Sequence, residues 1–279
     1  MEIITQQLVQ EILQPRKLEA NKSDFGHALI VAGSKGKIGA AVLAAKACLR
    51  SGVGLLTVHV PDCGEQIMQI SIPEAMVSID ADNSVFTDEL EIGKYSIVAF
   101  GPGLGTSKNT QAAVKKLLTN HLMPMVIDAD GLNCLSLNKE LLPMIPENSI
   151  LTPHPLEFER LVGKWETLEQ KLEKQCHFSK TYNCFVVLKG NQTTISSPEG
   201  KLYKNTTGNP GMAKGGSGDA LTGIITAFVS QGYSSEEASI LGVYLHGLAG
   251  DLAAIEKTEF SLLPSDLIEF LPQAFKIVD

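Results

Sequence analysis

The chain has no Cys-x-x-Cys pair, and its five cysteines, at 48, 63, 134, 176 and 184, are odd in number. That argues against a zinc knuckle or a disulfide framework and leaves them as ordinary buried or half-buried thiols. Positive charge is scarce: 23 Lys and Arg stand against 31 Asp and Glu, a formal net charge of -8. Nucleic-acid binding depends on clustered cations facing phosphates, so that class is excluded. No stretch reads as an uninterrupted membrane span, and residues 1–17 carry charges of both signs without the apolar core of a signal peptide. A soluble, cytoplasmic protein is the expectation. Gly-Lys followed by Ser or Thr is absent, which removes the P-loop. The serine-hydrolase elbow is also missing, because Asp219 stands where Gly would have to follow Ser217.

What is present is enough apolar sequence, 44% of 279 residues, for a large core, read here as one domain over residues 1–279. Short apolar runs alternate with helix-like segments, the rhythm of a parallel sheet covered on both faces. Ala28 to Ala32, Leu55 to Val60, Ile97 to Phe100, Met125 to Asp128, Ser149 to Thr152 and Cys184 to Lys189 read as strands. Ala40 to Arg50, Lys108 to Asn120 and Thr167 to Thr181 read as helices. Pro198-Glu199-Gly200 marks the turn of a hairpin between Thr193–Ser197 and Lys201–Lys204. Two long helices are expected to close the chain, the second capped by Ser234 and Glu237 after Gly232 ends the first.

The densest signal is Asn209-Pro-Gly-Met-Ala-Lys-Gly-Gly-Ser-Gly-Asp219, followed by a helix-like run from Ala220 to Val229. Glycines at 211, 215, 216 and 218 let backbone amides converge on an anion, and the helix adds its positive end. Asp219 then stands beside a bound phosphate as a proton acceptor, or serves only as a helix cap. An acidic chain that binds phosphorylated ligands needs local positive potential from amides, from lysines such as 35, 37, 189 and 214, or from Mg2+. In open α/β sheets ligands bind beyond the carboxyl ends of the strands. Five unusual loops occupy such places: Gly33–Gly39, Gly101–Gly105, Asp128–Asn133, Thr152–Glu157 and Lys189–Asn191. Gly33, Gly36 and Gly39 lack dinucleotide-fold spacing, and no acidic residue ends the second strand at Val60, which argues against a hydride-transferring Rossmann enzyme. His154, between Pro153 and Pro155, is a structural hydrogen-bonder or a ligand contact. Asp128 and Asp130 are metal ligands or caps. Lys189 is a phosphate contact or a solvated strand end, and His246 reads as a packed core histidine.

Together these segments resemble the ADP/ATP-dependent NAD(P)H-hydrate dehydratase family of the ribokinase-like superfamily. The resemblance runs through Ile38–Ala47, Arg50–Thr57, Gly101–Gly105, Asp128–Asn133, Leu151–Glu157, Val187–Gly190 and Asn209–Asp219. It implies a three-layer α/β/α fold with a mostly parallel central sheet, and repair of hydrated NADH and NADPH by dehydration coupled to nucleotide hydrolysis. It further implies ADP, or ATP, as co-substrate with Mg2+, and a homotetramer. By position it makes Asp219 the base, and Ala40, Gly103, His154 and Asp219 the contacts to the hydrated dinucleotide. Lys189, Gly190, Asn191, Gln192 and Thr193, with Gly215, Gly216, Ser217 and Gly218, form the nucleotide side. Metal ligands stay unassigned. The chain starts too close to its first strand to include the epimerase domain of many bacterial relatives, so a separate epimerase is expected. Ala41 replaces a proline common in the family. A vitamin or sugar kinase of the same superfamily is the alternative function, and a non-enzymatic adenine-nucleotide sensor the third.

Overall fold

A computed structural model describes residues 1–279. Ten strands form one sheet. In chain order they are β1 (Glu2–Ile3), β2 (His27–Val31), β3 (Leu55–Pro61), β4 (Met76–Asp80), β5 (Ile97–Phe100), β6 (Met125–Ile127), β7 (Ile150–Leu151), β8 (Phe185–Leu188), β9 (Thr194–Ser196) and β10 (Leu202–Lys204). Their spatial order is β1-β10-β9-β8-β7-β6-β5-β2-β3-β4. All neighbours run parallel except β9, which is antiparallel to both β8 and β10.

The central strands are apolar throughout because both faces are covered. Along β2, Ala28 and Ile30 enter one core while Leu29 and Val31 enter the other. The same period-two alternation sends Val126 of β6 to the first core and Met125 and Ile127 to the second. On the first face lie α1 (Gln6–Ile12), α2 (Ile38–Arg50), α3 (Glu65–Ser71) and three closing helices. The second face carries α4 (Lys108–Asn120), α5 (Ala129–Leu137), α6 (Pro155–Val162) and α7 (Leu168–Tyr182). This is the expected three-layer α/β/α architecture.

The closing segment differs from expectation: three helices end the chain, α8 (Ser217–Ser230), α9 (Ser235–Ser261) and α10 (Pro264–Val278). The capping box of Ser234 and Glu237 does start α9, and Gly232, at φ +92°, follows the end of α8. Thr258 interrupts α9 with a left-handed φ of +62°, and Pro264 opens α10 in its first turn, where a missing N–H costs nothing. Helix α9 is also long and apolar enough to cross a membrane, a match of length and composition that the sequence did not suggest. Most of it is buried within the protein against α8 and α10.

Helices α2 and α8 touch backbone to backbone. A Cβ at Gly223 of α8 would come within 2.0 Å of the Ala44 carbonyl oxygen of α2, so only glycine permits this approach. The sheet reverses its order of travel between β2 and β5, the place beside which ligands bind in open α/β sheets.

Candidate active site

Loop Gly101-Pro-Gly-Leu-Gly105 has left-handed φ values at all three glycines, +131°, +65° and +76°. A Cβ at Gly101 would fall 1.8 Å from the Asp128 carbonyl oxygen, and one at Gly103 would lie 3.0 Å from the Ala40 Cβ. Gly103 and Ala40, sequence candidates for the dinucleotide side, are therefore in contact. The loop after β2 is tied to the same place by Gly33 N–H donating to the Pro102 carbonyl at 2.8 Å and Ser34 Oγ to the Gly103 carbonyl at 2.7 Å. Its outer side rests on the segment after β4, through Lys35 N–H to the Ser84 carbonyl at 2.8 Å.

Helix α8 begins at Ser217 with Gly216 as its N-cap residue at φ +100°, earlier than the expected start near Ala220. Ser217 and Gly218 thus lie inside the first turn. Asp219, the third residue, is not the N-cap, and its carboxyl is pushed up to about 7 by burial, then by Asp128, opposed by Lys189 and reinforced by Asp130 and Glu157. A carboxyl in that range exchanges its proton near neutrality, as a general base requires. A Cβ at Gly216 would press to 2.5 Å on Leu43 of α2, which holds the loop against the same helix that carries Ala40.

Lys189 follows β8. Its ammonium donates to Asp128 Oδ1 at 2.7 Å and would lie 3.0 Å from a Cβ at Gly218. Asp128 is fully buried, and its other oxygen accepts from Thr222 Oγ1 of α8 at 2.8 Å. Asp130 is likewise occupied, accepting from Gly105 N–H at 2.7 Å, Asn133 Nδ2 at 3.1 Å and Lys37 Nζ at 3.3 Å. Both acids hold loops together. Asp128 is the N-cap residue of α5, but its side chain makes no capping bond. Gly190, Asn191 and Gln192 are exposed and Thr193 is half-buried on the rim beyond Lys189. No Cβ contact would block Gly190 or Gly215.

His154 caps α6. Its Nδ1 accepts from Leu156 N–H at 3.1 Å and Glu157 N–H at 3.3 Å, so that nitrogen is unprotonated, and Nε2 faces Glu157 Oε1 at 3.3 Å. Burial and then the Lys189 and Arg160 charges lower its pKa, consistent with a neutral ring. Glu157 answers by accepting from His154 N–H at 2.8 Å, and burial raises its own pKa. The sequence offered a signal for Glu157, the capping-box spacing to His154, but left it without a role. His246 is more than a packed side chain: its Nε2 reaches the Ser217 carbonyl oxygen at 2.9 Å, bracing the first turn of α8, and burial lowers its pKa to about 4. Thr222 gave no sequence signal, being one polar residue in an apolar helix.

Another cluster, His59, Asp80 and Asp88, is compact enough for a metal. Asp80 is nevertheless saturated, accepting from Thr87 N–H and Oγ1, Asp82 N–H, Asp88 N–H and His59 Nε2. Those bonds organise the segment bearing Ser84. A cavity of about 1090 Å³ sits at the opposite end of the sheet among residues such as Arg16, Phe25, Gly52 and Tyr233, and includes none of the loop residues described above.

The chain matches the family model described as NAD(P)H-hydrate dehydratase over residues 28–273. It is 34% identical over 276 residues to the ADP-dependent (S)-NAD(P)H-hydrate dehydratase of Bacillus subtilis, covering 98% of this chain and 97% of the relative. It is 37% identical over 274 residues to the bifunctional NAD(P)H-hydrate repair enzyme Nnr of Moorella thermoacetica, with 95% of this chain aligned. There it spans about half, 52%, of the relative's length. The fold superimposes with a TM-score of 0.90 on the crystal structure of the Bacillus subtilis ADP/ATP-dependent NAD(P)H-hydrate dehydratase co-crystallised with ATP and Mg2+. That alignment has 33% identity and covers 100% of this chain and 99% of the other.

Proposed function

The chain belongs to the NAD(P)H-hydrate dehydratase family, and we propose that it carries out the ADP-dependent dehydration of the S form of hydrated NADH and NADPH, releasing AMP and phosphate. One observation supports this most: a carboxyl whose pKa lies near 7, Asp219, in the first turn of a glycine-started helix that faces the cleft.

In the proposed reaction Asp219 takes the proton of the hydroxyl on the hydrated ring, and the oxygen attacks the terminal phosphoryl group of ADP while AMP departs. Amides at Gly216 to Gly218 and the helix N-terminus balance the charge that develops on the transferred group, and the Lys189 ammonium adds to them. The ring nitrogen lone pair then expels phosphate, and loss of a proton from the adjacent carbon restores the double bond. Ala40, Gly103 and His154 line the dinucleotide side, and Lys189 to Thr193 with Gly215 to Gly218 line the nucleotide side. His154, kept neutral, adds no charge beside the ring.

The donor set fits Mg2+. Asp128, Asp130, Glu157 and Asp219 converge with Lys189 as the cation between them, and Mg2+ keeps most of its waters while binding few carboxylates plus substrate phosphates. Asp128, Asp130 and Glu157 all have their oxygens engaged by protein donors, so these carboxylates would hold the ion through its waters, with phosphate oxygens of the bound nucleotide as direct ligands. When bound, the ion neutralises phosphate charge. We place the enzyme in the cytoplasm.

Purified protein incubated with hydrated NADH, Mg2+ and either ADP or ATP tests the reading by absorbance. Nucleotide-dependent recovery of the NADH band with release of free phosphate is expected. A stable phosphorylated product would instead point to a kinase, and no recovery with either nucleotide would sink the proposal.

A further inference from the structure

Asp130 is the centre of a chain of hydrogen bonds along the rim of the dinucleotide side. Lys37 reaches one of its oxygens at 3.3 Å, Asn133 Nδ2 donates to the other at 3.1 Å, and Asn133 Oδ1 accepts from Arg160 Nη1 at 2.7 Å. The chain joins the loop after β2 to α5 and α6 and leaves a cation at each end. Lys37 abuts the dinucleotide wall, since a Cβ at Gly103 would come within 2.8 Å of its carbonyl oxygen and 3.2 Å of its Cβ. Arg160 stands on the helix that His154 begins, close enough for its charge to act on the His154 ring.

Both cations keep donors to spare where they stand, although Lys37 is paired with Asp130. Arg160 is positioned through a neutral amide, with one of its five N–H groups on Asn133. Lys37 shares a single carboxylate with two other donors at a distance too long for a strong pair, and more than half of its side chain is exposed. The space beside Lys37 is open, since a Cβ at Gly36 or Gly39 would meet nothing within 4 Å, and Arg160 is exposed on α6. In a chain of net charge -8, two oriented cations with unused N–H donors beside a substrate wall match an anionic group on that substrate. Lysine offers a point charge and arginine a planar fork, the two usual ways of binding phosphate.

We infer that Lys37 and Arg160, set by Asp130 and Asn133, form a subsite for a phosphate group of the hydrated dinucleotide, apart from the anion site at the start of α8 that serves the co-substrate. The inference rests on the proposed function. The shared chemistry is a phosphate ester, carried either by the pyrophosphate bridge common to both hydrates or by the 2′-phosphate of the NADPH form alone.

Lys37→Gln, Arg160→Gln and Arg160→Lys are compared with the parent protein and with Lys276→Gln, which removes a charge from α10. The measurements are kcat and KM for hydrated NADH, hydrated NADPH and ADP, with melting temperatures to check folding. Loss of one charge-assisted contact to phosphate raises KM about tenfold, with Arg160→Lys in between and Lys276→Gln unchanged. An increase for both hydrates assigns the pyrophosphate, and an increase for hydrated NADPH alone assigns the 2′-phosphate. The KM for ADP stays within about twofold, since that phosphate site is elsewhere. Unchanged KM for both hydrates, or a rise confined to ADP, overturns the subsite. If the parent protein fails to turn over either hydrate, the proposed function has failed. Calorimetric binding of NADH and NADPH to the same variants then still reads the subsite, with undiminished affinity in both Lys37→Gln and Arg160→Gln counting against it.

Discussion

Replacing Asp219 by Asn removes the proposed base, and the structure sets a second, opposite effect on stability. Burial and the neighbouring Asp128 raise the Asp219 carboxyl from the ordinary 3.8 to about 7. Each tenfold change in proton affinity is worth about 1.4 kcal/mol, so holding this carboxyl ionised in the folded protein costs up to about 4 kcal/mol above pH 7. A raised carboxyl pKa means that the folded state binds the proton more tightly than the unfolded chain does. Stability from this group is thus present below the unfolded value and is lost as pH rises from about 4 to about 7. Asparagine keeps the shape and stays neutral throughout. Asp219→Asn should match the parent near pH 4, exceed it by about 1–2 kcal/mol at pH 5 and by about 2–4 kcal/mol at pH 8. Turnover at pH 8 should fall by at least about 10²-fold. Urea unfolding in parallel buffers, without nucleotide, reads the first effect, and the NADH absorbance assay reads the second. A stability difference that does not grow between pH 5 and pH 8 refutes the assigned burial cost. A variant with near-parental turnover refutes the assigned base.

Three further outcomes follow from named contacts. In the parent, kcat/KM should rise with pH through about 7 as Asp219 loses its proton; a profile flat from about pH 5.5 to 8 would exclude it as the titrating base. Gly223→Ala forces a Cβ to 2.0 Å from the Ala44 carbonyl oxygen and should destabilise by at least about 3 kcal/mol, since backbone on both sides leaves nothing to repack; an unchanged melting temperature would contradict the packing. Asp80→Ala strands the buried His59 donor and the half-buried donors of Asp82, Thr87 and Asp88, and should cost about 2–3 kcal/mol in urea unfolding. Although burial opposes it, hydrogen bonds from Thr87, Asp82 and His59 hold Asp80 below the usual carboxylate range. Its contribution is therefore present above that range and fades as the medium becomes more acidic.

The sequence was most readable where local and tertiary signals agreed. β5, Ile97–Phe100, ends at a glycine whose φ only glycine favours, and α4, Lys108–Asn120, starts at a Ser107 side chain that caps it, so both bounds match. Other elements were obscured by the loops they begin in. α5 opens on Ala129 at φ +46°, a conformation that alanine does not advertise, so Asp128–Asn133 read as a loop. Proline at 264 and 272 hid α10, where the first is harmless at the start and the second lies within the helix. At the site, glycine spacing and strand-end position located the loops without their tertiary ties. Lys189 was placed at the nucleotide, yet its bond to Asp128 and the Thr222 hydroxyl behind it are long-range contacts with no periodic signature.

The contact of α2 with α8 through Gly223 and Ala44 bears on motion. At Gly223 no side chain separates the two backbones, which leaves little there to shear, and the helices should move as one rigid body. Ala40, in the first turn of α2, and Gly216 to Asp219, at the start of α8, therefore keep a fixed spacing whatever is bound. Adaptation to ligands falls to the opposite rim, Lys189 to Thr193 and the side chains linked through Asp130. Amide hydrogen exchange should accordingly be slowest along the α2–α8 seam and change most, on binding nucleotide or dinucleotide, across that facing rim.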